Sequence, residues 1–387
     1  MAHLVPCSPV VVEVEGANYE QEPDHRRKLE EQLELIPHNA TFLRVEKNTP
    51  SDTEWGILGS HFSNIQNLEL IAGFDEQLND KKMPLHWPLE RLQLSDSVSE
   101  LLQSHHVQAG LVSHLSLFFT SGLRFEGPTS NELNNEHKAA IGRGEAKRNI
   151  ITVNEGTPDE RQLEITYLPE LVSNYMNRHM SDLERTIKEA PEGPFNMKSL
   201  EIWENDAIDT FNRMTMSLPH LVNNLRSLRI RSTRGLDFNY THENAFREIL
   251  PQLSNLETLN LTVGEVFEDP EYLPTLHLIL PPNLKTLHFR GPASLCRSTH
   301  WPAWVQLFGS KKFLPKLQNL AFVLDLDYQE HGEPPTKKEH RAPAALLYQA
   351  RVACQPIYDA ARRRGIQLDA MPVEPEISVL RPVDNRW

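Results

Sequence analysis

Few residues of this 387-residue chain stand at spacings that carry chemistry. The sharpest group is Asp325-Leu-Asp327, followed by Glu330. Alternating carboxylates at the end of an apolar run can hold a divalent cation or a sugar nucleotide for group transfer. The same pattern is also what a solvated strand end looks like. His105-His106 and His300 offer imidazoles but have no partners at metal-ligand spacing, and read as surface histidines. The run Arg362-Arg363-Arg364 suits a basic address, or favourable charge at a helix C-terminus. No phosphate-binding loop, nucleophile elbow or His-Glu-x-x-His motif occurs, and the chain has only 17 glycines to build such loops from. No catalytic residue, metal site or cofactor is therefore expected. The competing expectation is a metal-dependent transferase that uses Asp325 and Asp327.

A second set has the chemistry of binding. Phe118, Trp203, Arg229, Arg231, His288 and Arg290, with Asn260 among them, each follow a leucine, isoleucine or phenylalanine in a short apolar phrase. The phrase is apolar-x-x-Leu-x-apolar. It appears as Ala40-Leu43-Val45, Ile65-Leu68-Leu70, Leu89-Leu92-Leu94 and Val112-Leu115-Leu117. It returns as Met197-Leu200-Ile202, Leu225-Leu228-Ile230, Leu256-Leu259-Leu261, Leu284-Leu287-Phe289 and Leu317-Leu320-Phe322. A pattern this loose arises about five times by chance, so order and spacing must decide. The phrases follow one another at similar steps, and a weaker copy at Leu163 and Ile165 splits the one long gap. A further weak copy holds Val12 and Val14. Several phrases share a lead-in, as in Asn223-Asn224-Leu225, Ser254-Asn255-Leu256 and Pro282-Asn283-Leu284.

Leu-x-Leu puts two side chains on one face of a short strand, because strand side chains alternate. The residues between phrases return the chain to the next strand, in part as helix. Ser51-Asp-Thr-Glu54 is a capping box ahead of Trp55, Ile57 and Leu58. Thr241 is placed to cap a segment over 245–250, and 169–190 reads as an amphipathic helix. One such unit cannot bury its apolar side alone, so the units must stack, giving ten or eleven parallel strands. The expected fold is an α/β solenoid over residues 1–370. Its curved parallel sheet lines the concave side and its helices the convex side. The binding residues then share the concave face, opposite the leucines. Aromatic rings beside guanidiniums there predict a protein partner that offers an acidic segment.

These phrases resemble the leucine-rich-repeat family, and most of all the long irregular repeats of F-box leucine-rich-repeat proteins. The resemblance covers about residues 9–325. It implies a non-catalytic protein-interaction scaffold, and a substrate receptor that reaches a ubiquitin-ligase adaptor. No F-box is recognisable; only 24–36 reads as helix before the first clear repeat. The family's regular asparagine is represented by Asn48 and Asn205, and replaced by Gly73, Ser97, Thr233 and Gly264 at other turns.

Residues 126–160 break the pattern and read as a polar insertion. Residues 344–364 read as a capping helix, kinked or broken near Pro356 and stopped by Gly365, with Ile366-Gln-Leu368 as a last edge strand. Residues 371–387 read as a tail. The formal charge of −14 disfavours nucleic acid and anionic membrane as partners. Three scattered cysteines without CxxC spacing fit a reducing compartment. With no signal-peptide pattern at the N-terminus, the expected location is the cytoplasm, with the nucleus also compatible.

Overall fold

The computed structural model describes residues 8–16, 24–71, 77–78, 83–95, 98–99, 105–108, 110–118, 147–153, 161–167, 196–204, 207–218, 220–232, 247–263, 272–326 and 343–371. Eleven strands form one open sheet in which every pairing is parallel. In sheet order they are β1 (Val10–Glu13), β2 (Phe42–Glu46), β3 (Asn67–Ile71), β5 (Arg91–Ser95), β7 (His114–Phe118), β10 (Ser199–Glu204), β11 (Ser227–Ser232), β12 (Thr258–Thr262), β13 (Thr286–Pro292), β14 (Asn319–Leu326) and β15 (Gln367–Leu368). Order in the sheet follows order in the chain, as one-dimensional stacking of repeated units requires. Two short strands, β4 (Gln77–Leu78) and β6 (Val98–Ser99), pair separately.

Register repeats from strand to strand. Leu43, Leu68, Leu92, Leu115, Leu200, Leu228, Leu259, Leu287 and Leu320 align as one row. Every one of them is at most 1% exposed. The strand residues between the leucines are mostly half-buried, so one face is covered and the other partly open. A backbone ladder runs beside this row. The carbonyl of Thr41 accepts from the N–H groups of Gln66 and Asn67, and that of Gln66 from Glu90 and Arg91. The same doublet recurs at Glu90, Ser113, Lys198, Arg226, Glu257 and Lys285. It ties the two variable positions of each phrase to the next unit through backbone alone.

The lead-in asparagines add a side-chain ladder. Asn255 Nδ2 donates to the carbonyl of Asn223, and Asn283 Nδ2 to that of Ser254 at 2.7 Å. Asn48 Nδ2 reaches the carbonyl of Glu15 at 2.7 Å in the turn before it. Tryptophans add ties from one unit to the one before: Trp87 Nε1 donates to the Phe62 carbonyl, and Trp304 Nε1, from the helix Trp301–Gly309, to that of Pro274, each at 2.7 Å.

One sequence expectation needs correction. Leu163 and Ile165 do not fill the long gap in the stack. They belong to β9 (Arg161–Tyr167), which pairs antiparallel with β8 (Lys147–Val153). In the sheet β7 pairs directly with β10, bringing together Ser116 and Glu201, 85 residues apart. Residues 124–189 form a compact unit of their own, and the rest of the chain forms the other. Spacing alone admitted Leu163; hydrogen bonding to a close hairpin partner excluded it.

The other local signals act as their chemistry dictates. The capping box forms before the helix Asp52–His61, with Ser51 accepting from the Glu54 N–H and Glu54 accepting from that of Ser51. The fully buried Glu54 carboxylate also accepts from the N–H groups of Glu15 and Gly16. The last long helix, Ala344–Arg363, runs unbroken through Pro356, and Gly365 follows it at φ +77°. Arg364 is a clamp here, donating to the carbonyls of Phe308, Phe313 and Leu314. The expected helix 169–190 and the cap at Thr241 lie outside the described residues.

Candidate partner-binding face

The face opposite the leucines is best followed across β10 to β14. Register sets Glu201 beside Arg229, Arg229 beside Asn260, and Asn260 beside His288. Two residues further along each strand, Phe118 stands beside Trp203, Trp203 beside Arg231, Arg231 beside Thr262 and Thr262 beside Arg290. All six residues singled out from the sequence therefore sit in two adjacent rows on neighbouring strands. A cleft of about 310 Å³ lies over them; Trp203, Arg229, Arg231, His288 and Arg290 line it.

The aromatic residues are not open surface. Trp203 is 1% exposed and Phe118 is 7% exposed, with the rings edge-to-face at 5.3 Å. Two guanidiniums lie against the Trp203 ring. The guanidinium of Arg229 lies 4.9 Å from the ring centroid and that of Arg231 lies 5.1 Å from it. Two arginines on alternate positions of β11 thus share one aromatic support on β10. The tryptophan fixes the guanidiniums, and they present the chemistry.

The positive groups have carboxylate neighbours that sequence reasoning did not assign. Arg229 Nη1 lies 3.0 Å from Glu201 Oε1. Arg290 donates to Asp325 through Nε at 2.8 Å and Nη2 at 3.2 Å. The first pair had a signal: Glu201 and Arg229 fill the same slot in successive phrases. The second had a weaker one: aligned phrases set Arg290 beside Val323, and Asp325 stands two residues further along the same face. β13 carries Pro292, which has no N–H for the ladder, and the register shifts there: Gly291 pairs with Leu324 and Pro292 with Leu326. Asp325 is the unpaired residue of that bulge. Gly291 is required beside it, since a Cβ would come within 2.8 Å of the Phe289 ring.

His288 is mostly covered, with its side chain 13% exposed. Its Nε2 is 3.5 Å from Asp369 Oδ2. Burial holds the imidazole below its ordinary pKa, and Arg229 adds to that, while Asp369 opposes it. Among the described residues, Trp203 Nε1 and Asn260 Oδ1 are buried without a hydrogen-bond partner.

The alternative chemistry fares differently. The Asp325 carboxylate is already gripped by Arg290, and Asp327 and Glu330 lie outside the described residues. His106 Nε2 is bonded to the Pro84 carbonyl at 3.2 Å, and His300 precedes the helix Trp301–Gly309. Among the described residues no group of His, Cys, Asp or Glu is placed to hold a metal ion, and no helix is long and apolar enough to cross a membrane. No protein-family model, curated protein or solved structure matches the chain.

Proposed function

We propose that the chain is a non-catalytic protein-interaction scaffold, a leucine-rich-repeat solenoid that takes a protein partner on the leucine-free side of its sheet. The observation that supports this most is the pair of guanidiniums held on the buried Trp203 ring at the cleft. Arginines fixed in this way lose little freedom on binding, and their forked donors match carboxylates. The partner is accordingly a protein with an acidic segment. The family resemblance adds a finer reading: a substrate receptor related to F-box leucine-rich-repeat proteins, acting in the cytoplasm or nucleus through a ubiquitin-ligase adaptor.

The test is affinity capture from the native cell with mass spectrometry, comparing the wild type with Arg229→Glu/Arg231→Glu. Proteins with acidic segments should be recovered by the wild type and lost from the variant. Adaptor subunits among the recovered proteins support the receptor version; their reproducible absence leaves a stand-alone scaffold. A variant that keeps every wild-type partner overturns the reading.

A further inference from the structure

We propose that the partner-binding face continues past β14 onto the last long helix, and that the partner's acidic segment carries an apolar side chain that enters a second cleft there. The inference rests on the leucine-free face being the partner-binding face.

The second cleft has a volume of about 290 Å³ and lies between the end of β14 and the helix Ala344–Arg363. Val323, Leu324, Leu347 and Ala350 give it apolar walls. Val323 and Asp325 also line the cleft over Trp203 and Arg229, so the two clefts meet at β14 and form one track. Neither exceeds roughly the 300 Å³ at which small-molecule sites begin, and each suits a side chain of an extended peptide better than a whole small ligand.

The ends of the track differ in chemistry. The β10–β12 end is polar: Trp203 Nε1 and Asn260 Oδ1 are buried there without a hydrogen-bond partner. Arg229 stands between them, engaged with Glu201 through Nη1, and a guanidinium has five donors, so others are left for a partner's carboxylate. The helix end is aliphatic with a cation at its rim. Arg351 is exposed, and its guanidinium has no ion-pair or hydrogen-bond partner among the described residues. An apolar side chain in this cleft leaves water, and an acidic neighbour of it meets Arg351. Strands lie about 4.8 Å apart, so the three steps from β11 to β14 measure roughly 14 Å, which extended chain spans in about four or five residues. The partner's motif is therefore an acidic residue and, about four or five positions away, a large apolar one with acid beside it.

The test pans a library of random phage-displayed peptides against the full-length chain. Recovered peptides should pair Asp or Glu with Leu, Ile, Met or Phe at that spacing. A recovered peptide, made synthetically and labelled, is then titrated against variants. Leu347→Gln should bind it at least about tenfold more weakly than wild type, and replacing its apolar residue by serine should weaken wild-type binding as much. Arg351→Glu, at an exposed position, should weaken binding as well, and it decides the matter if circular dichroism shows Leu347→Gln unfolded. Acidic peptides without an apolar preference, bound equally by wild type and both variants, overturn the second cleft and leave the scaffold reading standing. Recovery of no peptide, or of peptides without acid, overturns both.

Discussion

Arg290 holds Asp325 by two parallel hydrogen bonds, Nε to Oδ1 at 2.8 Å and Nη2 to Oδ2 at 3.2 Å. The pair joins β13 to the bulge of β14, and both side chains are mostly covered, at 14% and 26% exposure. Asp325→Asn keeps the shape and removes the charge. Because the pair is partly solvated, the expected loss is about 1–2 kcal/mol, below that of a buried charged bond. Urea unfolding of the variant measures it. No loss of midpoint means that the pair is ornamental and Asp325 is available for other chemistry.

Leu259 and Asn260 are neighbours in sequence with opposite expectations. Leu259 is fully buried in the leucine row, and Leu259→Ala should cost about 2–5 kcal/mol. Asn260 buries Oδ1 without a partner, so Asn260→Ala should be neutral or slightly stabilising. Denaturant midpoints for the two variants test the face assignment directly; equal losses would contradict it.

Acid should loosen the fold in a defined window. Burial holds His114, His277 and His288 below the ordinary imidazole value of 6.5. Between the folded and unfolded values the unfolded chain binds more protons. Stability is therefore fully present above 6.5 and is lost as pH falls through the folded values. The thermal midpoint should drop between pH 7.5 and 5.5, and replacing all three by glutamine should flatten that drop. The lowered Glu15 carboxyl, hydrogen-bonded to Lys47, acts at more acid pH, below its ordinary 4.5.

Arg229→Glu/Arg231→Glu should also weaken the fold, which affects how binding losses are read. Both guanidiniums lie about 5 Å from the Trp203 ring centroid, so their loss should cost about 1–3 kcal/mol from two cation–π contacts. Trp203 should become accessible to a collisional quencher. Unchanged quenching would show that other groups keep the ring covered.

Glu54→Gln should be among the more damaging single substitutions on the N-terminal side. The carboxylate takes hydrogen bonds from the N–H groups of Glu15, Gly16 and Ser51 while fully buried. An amide accepts with one oxygen, so an N–H is left unmet at a cost of about 1–3 kcal/mol. Hydrogen exchange at Glu15 and Gly16 should rise before the rest of the sheet is affected.

The strands of the main sheet, their covered face and their succession were legible in the repeat. Leu-x-apolar at recurring spacing is a local property: side chains alternate on any strand, and a unit with one apolar side must find a copy of itself. Leu92, Leu228, Leu259 and Leu287 were legible as core for that reason, and so was the shared face of Trp203, Arg229, Arg231 and Arg290. The contacts that face makes depend on how the strands pack in three dimensions. Leu163 obeys the phrase and leaves the stack, because a hairpin partner satisfies its backbone first. Trp203 reads as a contact residue and is buried, and cross-strand register brings two arginines onto its ring. Asp325 reads as a carboxylate at a strand end and is bound to Arg290, because register sets Arg290 beside Val323 and Asp325 stands two residues further along the same face. Spacing marks the strands and their succession, but the side-chain contacts between neighbouring strands follow from three-dimensional pairing that the spacing does not carry.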